Sequence, residues 1–195
     1  VMREFRFRPT RGMGWDYETD QQIPSYEEKP VEAVFSHGGK ILWISLHNAG
    51  GIVPIWRDGQ PNADPSTGDM PTKTIYITRR GSTRKDSMVV PLIKTGMTPK
   101  VMAVTRDDRN LLVSNWHSQT VSVLDLDTSS FPWGKVMHTL PVPAIPRGIL
   151  VDEQRKKTYI AIMGGSTLAV VDNDTWKMDP AMTVSQNPRH IVLDD

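Results

Sequence analysis

Seven side chains combine a suitable type with regular placement: His47, Asn48, Lys100, Trp116, His117, Arg147 and Arg189. Lys100, Arg147 and Arg189 each directly follow a proline, at Pro99, Pro146 and Pro188. A cation that recurs at one step of a repeated pattern forms a row. Such a row suits an anion or the acidic patch of a partner, and arginine can engage a carboxylate through two parallel hydrogen bonds. The same three residues would equally serve as solvated side chains or as partners of neighbouring aspartates. Trp116, next to His117 in a loop, is the aromatic best placed for contact with a partner, since Trp and Arg dominate binding hot spots. His47 and Asn48 occupy the corresponding loop one unit earlier. A pair of loop histidines is compatible with metal or general-base chemistry. No HxH or HExxH spacing supplies a third ligand, so neither a metal nor a cofactor is expected.

The carboxylates read differently. Asp125/Asp127 and Asp172/Asp174 resemble catalytic dyads, but they repeat. A catalytic pair is needed once, whereas a turn is needed in every unit, and Asp side chains accept backbone N–H bonds in turns. Asp58, Asn62, Asp64 and Asp69 could gather Ca²⁺, but not at EF-hand spacing, and an ordinary polar loop is favoured. Trp43, Trp56, Trp133 and Trp176 lie in or beside strand-like runs and suit packing better than a carbohydrate platform. GxSxG, P-loop, dinucleotide and haem-attachment motifs are absent from the sequence.

Composition narrows the class. A net charge of +1 gives no field to steer the chain toward nucleic acid or a membrane surface. No run approaches the roughly 20 apolar residues of a membrane-spanning helix. With 0 Cys there are no disulfides and no thiolate sites. The 15 Pro and 14 Gly point to many tight turns.

The elements that must hold these residues follow from a repeat. Pro99 to Asp125 reads PKVMAVTRDDRNLLVSNWHSQTVSVLD, and Pro146 to Asp172 reads PRGILVDEQRKKTYIAIMGGSTLAVVD, without a gap. The spacing is 47 residues, and PRHIVLD at Pro188 starts another copy. Short Val, Ile, Leu and Thr runs between Asp, Asn and Gly turns are strands. Periods of this size mean stacked supersecondary units. The fold class is all-β, with β-propeller blades of four antiparallel strands.

The predicted division is an irregular extension or the end of a preceding blade at 1–29, then blades at 30–98, 99–145 and 146–187. The first strand of the next blade follows at 188–195. The first blade is diverged and carries an inserted loop at 57–74, with Ile75–Thr78 and Met88–Lys94 as its late strands. Three to four blades do not close a ring. The chain is therefore expected to be part of a longer polypeptide, or one piece of a propeller completed by a second chain.

The repeat resembles the YVTN family, also called YncE-like or surface-layer-type propellers. The residues that carry the resemblance are Pro99, LLVSN at Leu111–Asn115 and TVSVLD at Thr120–Asp125. In the next copy they are Pro146, TYIAI at Thr158–Ile162 and LAVVD at Leu168–Asp172. The second copy has Met163-Gly164-Gly165 in place of the Asn. The resemblance implies a bacterial or archaeal protein, usually seven-bladed, exported to the periplasm or cell surface. The function expected is a non-enzymatic scaffold that binds a protein or envelope component through its loop face. The alternative is a propeller enzyme, lactonase-like or a cofactor-dependent dehydrogenase, with its site at the channel mouth. Fold analogy alone does not choose between them.

Overall fold

The computed structural model describes residues 3–16, 19–59, 70–129 and 133–194. The described residues form strands and turns without a helix. Three four-stranded antiparallel sheets carry the repeat. The first joins β4 (Pro30–Ser36), β5 (Ile41–Leu46), β6 (Gly51–Trp56) and β9 (Ile93–Lys94). The second joins β10 (Pro99–Val104), β11 (Asn110–Asn115), β12 (Thr120–Asp125) and β13 (Lys135–Pro141). The third joins β14 (Pro146–Asp152), β15 (Lys157–Ile162), β16 (Thr167–Asp172) and β17 (Met178–Thr183).

Neighbouring blades stack through apolar faces. Ile41, Trp43, Ile52 and Ile93 of the first blade meet Met102, Leu111, Val113 and Leu124 of the second. Leu112, Val121, Val123 and Leu140 of the second meet Ile160, Ile162, Ala169 and Val171 of the third. Alternate residues of β11 thus face opposite neighbours, as the two-residue period of a strand dictates.

Two irregularities recur along the chain. Each innermost strand carries a register shift just after its proline, at Pro30/Ala33, Pro99/Met102 and Pro146/Ile149. Bulges of this kind release backbone groups from the ladder and re-aim side chains. The residue before the proline is left-handed at Thr98 (φ 59°), Ile145 (φ 61°) and Asn187 (φ 56°). For β-branched Thr98 and Ile145 that conformation costs on the order of 1–3 kcal/mol. Part of the return is a loop hydrogen bond: Trp116 N–H donates to Thr98 O (3.1 Å) and Met163 N–H to Ile145 O (3.0 Å).

The region around the first blade departs from the sequence reading. Of Ile75–Thr78 and Met88–Lys94, all but the last two residues stay out of that blade. β7 (Thr72–Arg79) and β8 (Lys85–Pro91) instead form a separate sheet with β1 (Arg3–Phe7), in the order β1-β7-β8. Only Ile93 and Lys94 reach the first blade as its fourth strand. The reason is apolar burial: Phe7, Ile75, Val90 and Leu92 cover Leu46, Val53 and Ile55, a face of the first blade that the second blade does not reach.

Within the segment expected as an irregular extension or the end of a preceding blade, β2 (Thr10–Asp16) and β3 (Gln21–Tyr26) form an antiparallel pair. Its Gly- and Gln-rich strands have weak β-propensity, so pairing rather than composition makes them strands. A buried cluster ties this region to β7: Lys73 Nζ donates to Glu28 Oε1 and to Thr10 Oγ1 (2.7 Å), and Thr10 Oγ1 donates to Glu28 Oε1 (2.6 Å).

Residues 188–194 form no strand, because no described residue pairs with them. Asn62, Asp64 and Asp69, the core of the candidate Ca²⁺ loop, lie outside the described residues.

Candidate functional site

The bulge after each proline sets the position of the cations. Lys100 and Arg147 both sit in it, and each carbonyl, released from its own ladder, is taken by the preceding blade. Ser45 Oγ donates to Lys100 O (3.1 Å) and Ser114 Oγ donates to Arg147 O (3.0 Å). The same hydroxyls accept the bulge N–H of their own blade, from Glu32 and Val101 (both 3.1 Å). Ser45 and Ser114 are fully buried. Each is a shared node between two blades, holding the next blade's bulge at fixed depth.

Trp116 lies where the two cations converge. Lys100 Nζ stands 3.9 Å from its ring centroid and Arg147 Cζ 5.6 Å, both within cation–π range. Lys100 comes from the same blade and Arg147 from the next. Arg147 Nη1 also reaches Met163 Sδ at 3.3 Å. The indole Nε1 of Trp116 and Nε of Arg147 are buried without a hydrogen-bond partner. All three residues are half-buried. The arrangement is an aromatic plate with two positive charges against it, supplied across a blade boundary.

The other singled-out residues lie around this centre. His117 is exposed, with Nδ1 2.6 Å from Thr98 Oγ1. His47 and Asn48 line a groove of about 440 Å³ with Ala49, Gly50, Lys94 and Thr95. His47 N–H donates to Lys29 O (3.0 Å) and Asn48 Nδ2 to Glu27 O (3.2 Å). By this register His47 corresponds to Trp116 and Met163, not to His117, so the two histidines do not occupy equivalent places. Arg189 is exposed, and its carbonyl packs against Gly148. No contact brings it to Trp116 among the described residues. Lys94, Thr95 and Met163 escaped the sequence reading. Met163 already stands opposite Trp116 in the gapless 47-residue alignment, but a lone Met in a loop carries no mark of a site. Lys94 follows an insertion that breaks the period.

The aspartate pairs are turn devices. Asp125 Oδ1 accepts Asp127 N–H (2.9 Å), and Asp172 Oδ1 accepts Thr175 N–H (2.9 Å) and Oγ1 (2.8 Å). Lys157 bonds Asp172 at 2.8 Å and Asp179 at 2.6 Å. The Lys157 contact first, then the Thr175 bonds, hold the Asp172 carboxyl well below the usual carboxylate range. Lys157 is raised in turn by Asp172 and Asp179. Among the described residues no group of three His, Asp or Glu is placed to hold a metal ion. Trp133 is buried edge-to-face with Trp56 at 5.5 Å, which is packing.

Four-stranded antiparallel sheets, repeated along the chain and stacked face to face with their first strands adjoining, define an arc of β-propeller blades. Solved structures share the fold. One is the hydrazine synthase of Kuenenia stuttgartiensis, with TM-score 0.60 and 21% identity over 83% of this chain and 38% of that one. Another is a protein of unknown function from Desulfotomaculum acetoxidans, with TM-score 0.54 and 15% identity over 88% of this chain and 48% of that one. The chain therefore spans less than half the length of either. No protein-family model matches it, and no curated protein sequence does.

Proposed function

We propose that this chain is the partner-binding arc of a non-enzymatic propeller of the YVTN/YncE-like kind. It is exported to the bacterial envelope, and further blades from the same or a second chain complete its ring. Its loop face takes an acidic segment of another envelope protein. The observation that carries this reading is Trp116 held against Lys100 and Arg147 from adjacent blades. An aromatic plate gives contact area at low entropic cost, and arginine can turn from the ring to a carboxylate with two hydrogen bonds. His47 and Asn48 extend the surface along the neighbouring groove.

The test is titration with a hexaglutamate peptide, read by calorimetry, alongside a glucono-δ-lactone hydrolysis assay. Binding that weakens at least about tenfold in Arg147→Gln, as loss of a charge-assisted pair predicts, with no lactone turnover, supports the module. Lactone turnover abolished by Trp116→Ala would replace it with the enzyme reading. Undiminished peptide binding in both variants removes this site.

A further inference from the structure

We infer that the slot between the first blade and the β1-β7-β8 sheet binds a small aromatic carboxylate, with its rings between the two sheets and its carboxylate on Lys40 and Arg57. This goes beyond the acidic-partner reading and does not depend on it.

The slot follows from register. On the first blade Phe35 stands opposite Leu42, and Leu42 opposite Ile55. On the facing sheet Phe7 pairs with Ile75, and Phe5, on the same face two residues earlier, pairs with Ile77. The sheets are sealed at Phe7 and Ile75, which are 8% and 0% exposed. One step further along they part, and Phe5 is 39% and Phe35 61% exposed. The gap measures about 380 Å³ and is walled by Phe5, Phe35, Leu42, Ile55, Ile77 and Met88, with Trp56 in the lining. Apolar surface left in water is unfavourable, and a cavity walled by aliphatic and aromatic side chains is completed by an apolar body rather than by water. Sites for small molecules have this size and this mostly apolar lining. The aromatic walls favour rings over an alkyl chain, through offset and edge contacts.

The mouth supplies the charge. Arg57 N–H donates to Lys40 O (2.9 Å), which places the two cations side by side just beyond the ends of β5 and β6. Both line the slot and both are exposed, so a ligand reaches them directly. Among the described residues that line the slot there is no carboxylate. Arg57 meets Asp58 at 3.5 Å, but both side chains are exposed, and such a pair is worth little in water. The ligand's carboxylate can take that place with two parallel hydrogen bonds from the guanidinium.

The experiment titrates the whole chain with 2-naphthoate by calorimetry, with 2-naphthamide as the neutral control. Saturable binding at or below about 1 mM is expected for a ligand of this size. The amide should bind about tenfold more weakly, and so should 2-naphthoate in the double variant Lys40→Gln with Arg57→Gln. Phe35→Ala should weaken both ligands about tenfold. Because Phe35 is exposed, the urea midpoint of that variant should stay where it is. Absence of saturable 2-naphthoate binding overturns the inference. So do equal affinities for the two ligands, or undiminished 2-naphthoate binding in either variant. Loss of binding in Trp116→Ala would put the naphthoate against Lys100 and Arg147 instead, which overturns the slot and leaves the acidic-partner reading standing.

Discussion

The junction between the second and third blades and the outward side of the third blade use one register with different chemistry. At the first, Ser114 links its own bulge N–H to the next blade's bulge carbonyl. At the second, the corresponding residue is Ala161, and Val101 is replaced by Gly148. No hydroxyl is available there. Instead the backbone closes up, so that a Cβ on Gly148 would stand 2.5 Å from Arg189 O. A hydroxyl spacer and a glycine close approach are therefore alternative ways to seat the next innermost segment. The loops differ in parallel. Trp116 has cations against it from two blades, while Met163 meets Arg147.

Gly148→Val attacks the close approach and should have the largest effect. The obstacle is backbone, which cannot rotate away, and overpacking of this kind costs about 1–3 kcal/mol or more. The urea midpoint should fall, and amides near Gly148 should lose hydrogen-exchange protection. An unchanged midpoint would mean that residues 188–190 do not rest there.

Ser114→Ala strips the spacer without the compensating glycine. The half-buried Val101 N–H and Arg147 O then lose a partner, at a cost of about 1 kcal/mol. Combining it with Val101→Gly, which copies the third blade, should recover part of that loss. Failure to recover would show that the two solutions are not interchangeable.

Trp116→Met, again copying the third blade, should cost no more than about 1 kcal/mol, the worth of exposed cation–π contacts. It should nevertheless weaken hexaglutamate binding if the aromatic plate is the contact surface.

The smallest effect concerns acid. Lys157–Asp172 in the third blade replaces Asn110 opposite Asp125 in the second. Because the folded-state Asp172 lies below its unfolded value, its stabilisation is present above the ordinary carboxylate range and lost as pH falls through the folded value. Acidification should therefore lower the hydrogen-exchange protection factors of β16 amides before those of β12, and Lys157→Asn should remove the difference. Exchange that is equally acid-sensitive in both blades would sink the assignment.

What the sequence disclosed followed its period. Pro99, Pro146 and the apolar runs between Asp turns placed the strands of the second and third blades, because each strand pairs with its sequence neighbour. β7 and β8 were legible as strands but not as partners of β1, because that pairing spans about 70 residues and recurs nowhere. Among the site residues, Lys100 and Arg147 stood out by their place after proline. Their convergence on one ring did not, because a bulge redirects side chains without leaving a composition mark. Lys94 was hidden by the insertion before it.

The shared serines have a further consequence. The second blade carries the acceptor on its inner strand, Lys100 O, and the donor on its next strand, Ser114 Oγ. It is thus complementary to a copy of itself head to tail, a heterologous contact that leaves one donor and one acceptor open until a ring closes. Residues 99–145 are in that sense a monomer unit: concatenated copies would keep adding in one rotational sense until the last donor met the first acceptor.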